Sequence, residues 1–214
     1  AAADSAEMPL WRYLGGVHAH LLPVPMMNII NGGAHADNAL DVQEFMVMPV
    51  GASHFADGLR MGAEIFYALK KLLSDASLST AVGDEGGFAP AINSTDEALG
   101  YITKSIEAAG YKPGDDVMIA LDAAASEFCT DFKYNLAGEE RVLGSDEMNA
   151  MWQELIGRYP IVSIEDPLHE DDWGGFQKLT SAIGGDIQIV GDDLFVTSPE
   201  RLSRGITEAA GNAI

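Results

Sequence analysis

The sequence predicts an α/β fold in which a β-hairpin is followed by βα units that build a parallel sheet. Short apolar runs alternate with helical patterns from about residue 117 onward, and these runs are apolar on both faces. Such strands are typical of a parallel sheet covered by helices. Earlier in the chain, two apolar runs joined by a polar loop favour an antiparallel hairpin. Periodicity alone leaves two alternatives, an open doubly wound sheet and a barrel.

The predicted hairpin strands are residues 24–30 and 42–47. A helix is predicted after Ser53, because apolar side chains keep helical spacing from residue 55 to residue 73. Ser94 and Glu97 match the capping-box pattern, which places the start of a second helix there, and Gly110 is expected to end it.

Three buried strands and two further helices complete the prediction. Ser145 is expected to cap a helix that Pro160 stops. Ser198 and Pro199 are expected to provide the N-cap and first position of the last helix, with Gly211 just beyond its end. The predicted strands are residues 117–121, 161–164 and 187–190.

Composition narrows the class of protein. The chain has 214 residues, 47% of them apolar, which suits one large folded domain and excludes a disordered chain. Its net charge of −21 disfavours binding to nucleic acid or to anionic membrane surfaces. No signal peptide or membrane-spanning run is found, so no membrane insertion is expected. The single cysteine, Cys129, excludes an internal disulfide and is interpreted as a bystander.

Three carboxylates follow three predicted strands, namely Asp122, Glu165 and Asp192. The carboxyl ends of parallel strands meet at one edge of a sheet, which is where such folds build their sites. Three carboxylates there would repel one another unless a cation joined them. Oxygen ligands suit Mg²⁺ or Mn²⁺, so a metal site is predicted. A single Asp after a strand is more often a capping residue, and Asp166 before Pro167 is interpreted as such turn chemistry.

Two Gly-rich segments, residues 31–38 and 83–90, add polar loops to this picture. The second places Glu85 among glycines that allow a ligand to approach closely. Neither segment matches the dinucleotide fingerprint or the P-loop, so nicotinamide and ATP chemistry are not indicated.

The sequence resembles the enolase family. The resemblance is carried by LPVPMMNIINGGAHADNALDVQEFMVMPVGA, TAVGDEGGFAP, IALDAAASEF, YPIVSIEDPLHEDDW and IQIVGDDLFVTSPERL, and it extends from about residue 22 to the end. The GGAHADN form is similar to bacterial enolases. The resemblance implies an enolase-type β/α barrel with an antiparallel hairpin start. It also implies the reversible dehydration of 2-phosphoglycerate to phosphoenolpyruvate, a lyase reaction of glycolysis.

The resemblance implies the following site. Asp122, Glu165 and Asp192 would bind the Mg²⁺ that holds the substrate carboxylate, and a second Mg²⁺ would bridge substrate and phosphate. Removal of a proton next to a carboxylate creates a charge that two Mg²⁺ ions stabilise.

The family's other site residues match four positions. Glu85 corresponds to the acid that helps expel the C3 hydroxyl as water. Glu44 supports it and contacts the substrate, with Gln43 beside it, and His35 lies on a loop that approaches the phosphate of this small substrate.

The resemblance also implies what the chain lacks. The general-base Lys of the family would fall on the next strand, beyond Ile214, so the 214 residues alone are expected to be inactive. Residues 1–20 are interpreted as the tail of an N-terminal domain and residues 21–214 as a partial barrel without its C-terminal strands. Unpaired sheet edges and poor stability in isolation are expected. The complete protein is expected to be cytoplasmic and a homodimer or larger.

Two other hypotheses remain. His18 and His20 form a His-x-His pair like that of amidohydrolases, but no strong strand precedes it and the downstream His partners are missing. The second is a non-catalytic metal-binding or interaction module derived from an enolase. Glu85, Glu44 and His35 disfavour that module, because only catalysis obviously needs them.

Overall fold

The computed structural model describes residues 1–214, which form one five-stranded sheet, one small three-stranded sheet and seven α-helices. The strands are β1 Met27–Asn31, β2 Glu44–Met48, β3 Met118–Asp122, β4 Cys129–Thr130, β5 Lys133–Leu136, β6 Arg141–Gly144, β7 Ile161–Glu165 and β8 Gln188–Val190. The helices are α1 Ala2–Ser5, α2 Leu10–Gly15, α3 Phe55–Asp75, α4 Thr95–Ala108, α5 Ser145–Arg158, α6 Trp173–Ile183 and α7 Pro199–Glu208. Single 3₁₀ turns span Gly16–His18, Gly33–His35 and Ala137–Glu139.

The order of strands in the large sheet distinguishes between the two predicted architectures. The order is β1-β2-β3-β7-β8, so strands join the sheet in chain order without turning back. A doubly wound sheet reverses its order at a switch point, whereas a barrel adds strands in one direction. The sheet does not close on itself, since β1 and β8 are its two outer strands. The predicted partial barrel is therefore confirmed.

The predicted hairpin is also confirmed. β1 pairs antiparallel with β2, and β2 pairs antiparallel with β3. β3, β7 and β8 are parallel to one another. The polar loop between β1 and β2 consequently lies at the same edge of the sheet as the carboxyl ends of the parallel strands.

One face of this sheet is built into the hydrophobic core. Phe45, Leu121, Ile164 and Ile189 lie side by side on four neighbouring strands and are all fully buried. They belong to the same apolar cluster as side chains of α3, such as Leu69. Since side chains alternate across a strand, the residues next to this row point to the opposite face.

The small sheet β4–β6 was not predicted. Its first strand has two residues and the other two have four each. β4 is too short to show an alternation, and β5 alternates exposed and buried side chains over only four residues, the shortest length at which alternation indicates a strand. The turn between β4 and β5 places Asp131 and Phe132 at positive φ, where glycine or asparagine would be the usual signal.

The helix starts follow the predictions with one exception. Ser94 accepts a hydrogen bond from the backbone N–H of Glu97, and Ser198 accepts one from Arg201, as expected of N-caps. The prediction that Ser145 is an N-cap was wrong, because Ser145 is the first helical residue and Gly144 precedes it as the N-cap. The side chain of Glu147 accepts the N–H of Gly144 at 2.7 Å, so the glutamate caps this end.

None of the helices is both long enough and apolar enough to cross a membrane.

A comparison within α3 tests the described core. Leu69 is fully buried in the apolar cluster, whereas Leu59 on the same helix is 54% exposed. We expect Leu69→Ala to lower the free energy of unfolding by about 2–5 kcal/mol, because the substitution leaves a cavity. Leu59→Ala should change it by about 0.5 kcal/mol or less. Urea unfolding followed by circular dichroism measures both values, and equal effects would contradict the described packing.

Candidate active site

A row of carboxylates crosses the sheet at its carboxyl edge. Glu44 pairs with Asp122 across β2 and β3, and Asp122 pairs with Glu165 across β3 and β7. Paired residues on neighbouring strands point to the same face, so the three side chains project together. They lie directly beyond the fully buried row of Phe45, Leu121 and Ile164 and on the opposite face, away from the core.

The environment of this row disfavours its ionised form. Burial, followed by the charge of Glu165, raises the pKa of Asp122 to about 8. Burial and the charges of Asp166 and Asp192 raise the pKa of Glu165 to about 7. None of the salt bridges of the protein involves Asp122, Glu165 or Asp192. The protein therefore holds Asp122, Glu165 and Asp192 at one edge of the sheet without a salt bridge to neutralise them.

The third predicted ligand, Asp192, lies two residues beyond the end of β8 and its side chain is exposed. β8 pairs with β7 so that Glu165 lies beside Val190, and the chain then continues through Gly191 to Asp192. The structure thus places Asp192 on the loop next to Glu165, at the same edge of the sheet.

A second cluster lies beside the row. His35 Nδ1 is 3.3 Å from Glu44 Oε1, and their side chains are 25% and 18% exposed. One ligand atom of each of His35, Glu44 and Glu85 lies within 4.8 Å of the other two. Burial raises the pKa of Glu44, and the charge of Glu85 adds to this effect while His35 opposes it. The prediction placed these three residues in one site, and the structure brings them together.

The Glu85 loop is tied to the His35 loop and to β1. The N–H of Asp84 donates to the carbonyl of His35 at 3.1 Å, and the N–H of Gly87 donates to Asn31 Oδ1 at 2.9 Å. The loops approach so closely that a Cβ on Gly83 would lie 2.5 Å from the carbonyl oxygen of His35. Glycine is therefore required at position 83.

Sequence reasoning did not identify Asn31 as a site residue. Asn31 is fully buried at the end of β1 and is paired with Glu44 across the hairpin. Its Oδ1 accepts the N–H of Gly87, which leaves Nδ2 on the other branch of the amide, and Nδ2 has no hydrogen-bond partner. The contact between Asn31 and Gly87 joins residues 56 positions apart, so the role of Asn31 can be recognised only from the folded structure.

Gln43 holds the edge of the sheet through its backbone. Its N–H donates to the carbonyl of Asp122 at 3.1 Å, and its carbonyl accepts the N–H of Gly32 at 2.9 Å. The half-buried side chain of Gln43 makes no hydrogen bond to another residue. Its predicted role in substrate binding thus rests on its position next to Glu44.

The donor atoms at this edge determine which cations fit. Asp122, Glu165 and Asp192 offer only carboxylate oxygens, which is the set that Mg²⁺ and Mn²⁺ prefer. Their ligand atoms do not all lie within 4.8 Å of one another, whereas one ligand atom from each of His35, Glu44 and Glu85 does. A cation stabilises the ionised form of a carboxylate, so a cation bound at this edge would lower the raised pKa values of Asp122 and Glu165.

Comparison with known families agrees with the fold. Residues 19–214 match the family described as enolase, C-terminal TIM barrel domain. The chain belongs to this enolase family. It is therefore part of an enolase-superfamily enzyme of the lyase class, with the barrel-type architecture described above.

The alternative sites have no comparable geometry in this enolase domain. His18 and His20 are exposed, lie before β1 and belong to no cluster of metal-ligating groups. Cys129 lies on β4, and burial raises the pKa of its thiol, which disfavours the reactive thiolate.

The raised pKa values predict how stability depends on pH. Unfolded carboxyl groups ionise near pH 4, whereas Glu165 and Asp122 ionise at about 7 and about 8 in the fold. Between about pH 4 and about pH 8 the folded state therefore binds more protons than the unfolded state does, so the free energy of unfolding falls as the pH rises. With a chelator present to remove divalent cations, we expect the free energy of unfolding to fall by on the order of 2 kcal/mol from about pH 5 to about pH 8.

Urea unfolding at several pH values measures this dependence. Saturating Mg²⁺ should reduce the fall, and Asp122→Asn should also reduce it, because the variant removes one titrating carboxylate. Asp115→Asn, an exposed residue in the turn before β3, is the control and should behave as the unaltered protein. Stability that rises over this range, or an equal fall in Asp122→Asn and Asp115→Asn, would contradict the prediction.

Proposed function

We propose that the complete protein is a Mg²⁺-dependent enolase that dehydrates 2-phosphoglycerate to phosphoenolpyruvate in glycolysis. The observation that carries the proposal is the alignment of Glu44, Asp122 and Glu165 in one row, with His35 and Glu85 beside it. This arrangement combines an acidic cation site with a proton donor and a histidine on neighbouring loops. The family membership and the bacterial-like GGAHADN segment support the same reaction.

Asp122, Glu165 and Asp192 would hold the cation in this proposal. Mg²⁺ bound there would supply positive charge near the substrate carboxylate, and a second Mg²⁺ is proposed to supply positive charge near the phosphate. The observation that supports this fit is that Asp122 and Glu165 are crowded together without a salt bridge to Lys or Arg. In the same proposal Glu165 and Asp192 also line the position of the bound substrate.

Glu85 is proposed to donate the proton that allows the C3 hydroxyl to leave as water. Its side chain is exposed on the loop that Asn31 ties to β1, so it can reach a substrate that enters from solvent. Glu44 lies within reach of both Glu85 and His35 and is proposed to hold the donor in position. His35 is proposed to approach the phosphate, and Gln43 to contact the substrate beside Glu44.

The base that removes the C2 proton is proposed to lie outside these 214 residues. The chain has six lysines, all of them exposed and none in a salt bridge with the carboxylate row, at Lys70, Lys71, Lys104, Lys112, Lys133 and Lys178. The activity is therefore proposed for the complete protein. We further propose that residues 1–20 end a preceding domain, and that the protein is a cytoplasmic homodimer or larger.

Turnover of 2-phosphoglycerate by the full-length natural protein tests the proposal. Product formation is followed by the ultraviolet absorbance of phosphoenolpyruvate in the presence of Mg²⁺. We expect Glu85→Gln to lower kcat by about 10²–10⁴-fold, because the amide cannot donate the proton. Asp122→Asn should abolish turnover at ordinary Mg²⁺ concentrations, because it removes a cation ligand. Excess chelator should do the same to the unaltered protein.

Two matched variants control for the loss of a charge. Glu107→Gln on the exposed face of α4 and Asp115→Asn before β3 should retain full activity. Absence of turnover by the unaltered full-length protein would overturn the proposed reaction. Mg²⁺ binding without turnover would instead support the metal-binding module as the function.

A further inference from the structure

Asp166 has a buried carboxylate that holds the loop after β8. It is 3% exposed and accepts hydrogen bonds from three consecutive backbone N–H groups. The distances are 2.8 Å from Asp193 N to Oδ2, 3.2 Å from Asp192 N to Oδ1 and 3.3 Å from Leu194 N to Oδ1. The sequence interpretation of Asp166 as local turn chemistry was wrong, since its partners lie 26–28 residues away.

The backbone of Asp166 joins the same region. Its N–H donates to the carbonyl of Val190 at the end of β8, and its carbonyl accepts the N–H of Ala125 after β3. Its φ of +39° is uncommon for a residue other than glycine. Asp166 thus connects the ends of β3, β7 and β8, and its unusual conformation aims the carboxylate at the loop that contains Asp192.

Asp192 depends on this anchor more than the other two ligands do. Asp122 and Glu165 are paired within strands, so the sheet itself fixes their positions. Asp192 lies outside β8, and its exposed carboxylate accepts no hydrogen bond that would orient it. The hydrogen bond from the backbone N–H of Asp192 to the Asp166 carboxylate therefore links this loop directly to the residue that follows Glu165.

We propose that Asp166 is a positioning residue that places Asp192 for cation binding and so sets the Mg²⁺ affinity of the site. The inference rests on the proposed role of Asp192 as a metal ligand. Partners in the outer shell of a metal site change its affinity by about 10–100-fold when they are altered. Asp166 acts through the backbone of the ligand, since it holds the N–H of Asp192 and not its carboxylate.

Mg²⁺ titration calorimetry of the full-length natural protein tests this inference. Asp166→Asn leaves one oxygen for three N–H groups and is expected to weaken Mg²⁺ binding by about 10–100-fold. In turnover assays, the Mg²⁺ concentration for half-maximal rate should rise by a similar factor, while saturating Mg²⁺ restores kcat. Asp186→Asn, an exposed residue before the opposite end of β8, is the control and should bind Mg²⁺ normally.

A double-mutant cycle separates positioning from a general structural role. Asp192→Asn removes the ligand, so adding Asp166→Asn to it should cause no further loss of Mg²⁺ affinity. Additive losses, or normal affinity in Asp166→Asn, would overturn the inference. If Asp192→Asn itself binds Mg²⁺ normally, the proposed metal site fails instead.

A second variant covers the case in which Asp166→Asn does not fold. Asp166→Glu keeps the charge and displaces the carboxylate by one methylene group, so it should also weaken Mg²⁺ binding. Failure of both variants to give a native circular dichroism spectrum would overturn the inference in favour of a purely structural role.

Discussion

Strand register places like charges next to one another, and the rest of the site depends on this constraint. Burial of Phe45, Leu121 and Ile164 against the helices sets the register of β2, β3 and β7. A shift of one residue would move every core side chain to the wrong face, so this register is strongly specified. The carboxylate adjacent to each of these core residues then projects from the opposite face of the sheet. Packing of the hydrophobic core therefore places the carboxylates next to one another.

The loops that complete the site are held by buried polar side chains. Asn31 holds the loop of Glu85, and Asp166 holds the loop of Asp192, each by accepting backbone N–H groups. A buried carboxylate or amide is stable only when its polar atoms are paired, and loop N–H groups need acceptors. Both oxygens of Asp166 meet this requirement, whereas Asn31 meets it through Oδ1 only, and the loops of Glu85 and Asp192 are each fixed to the sheet at these points.

The acidity of the chain affects what its carboxylate row can bind. A protein with a net charge of −21 repels anions over most of its surface. Cation binding at the carboxylate row would reverse that charge locally. Burial and the neighbouring charges destabilise the ionised row, and a divalent cation would stabilise it.

The sequence by itself determined the α/β class, the hairpin start, most helix ends and the positions of the carboxylates at strand ends, because these depend on local periodicity and capping chemistry. The resemblance implied the barrel and the proposed roles of Glu85 and His35. Only the tertiary structure decided that the strands join in barrel order, that residues 129–144 form a small sheet, and that Asn31 and Asp166 are loop anchors. These features depend on contacts between residues far apart in the chain, for which local patterns carry no signal.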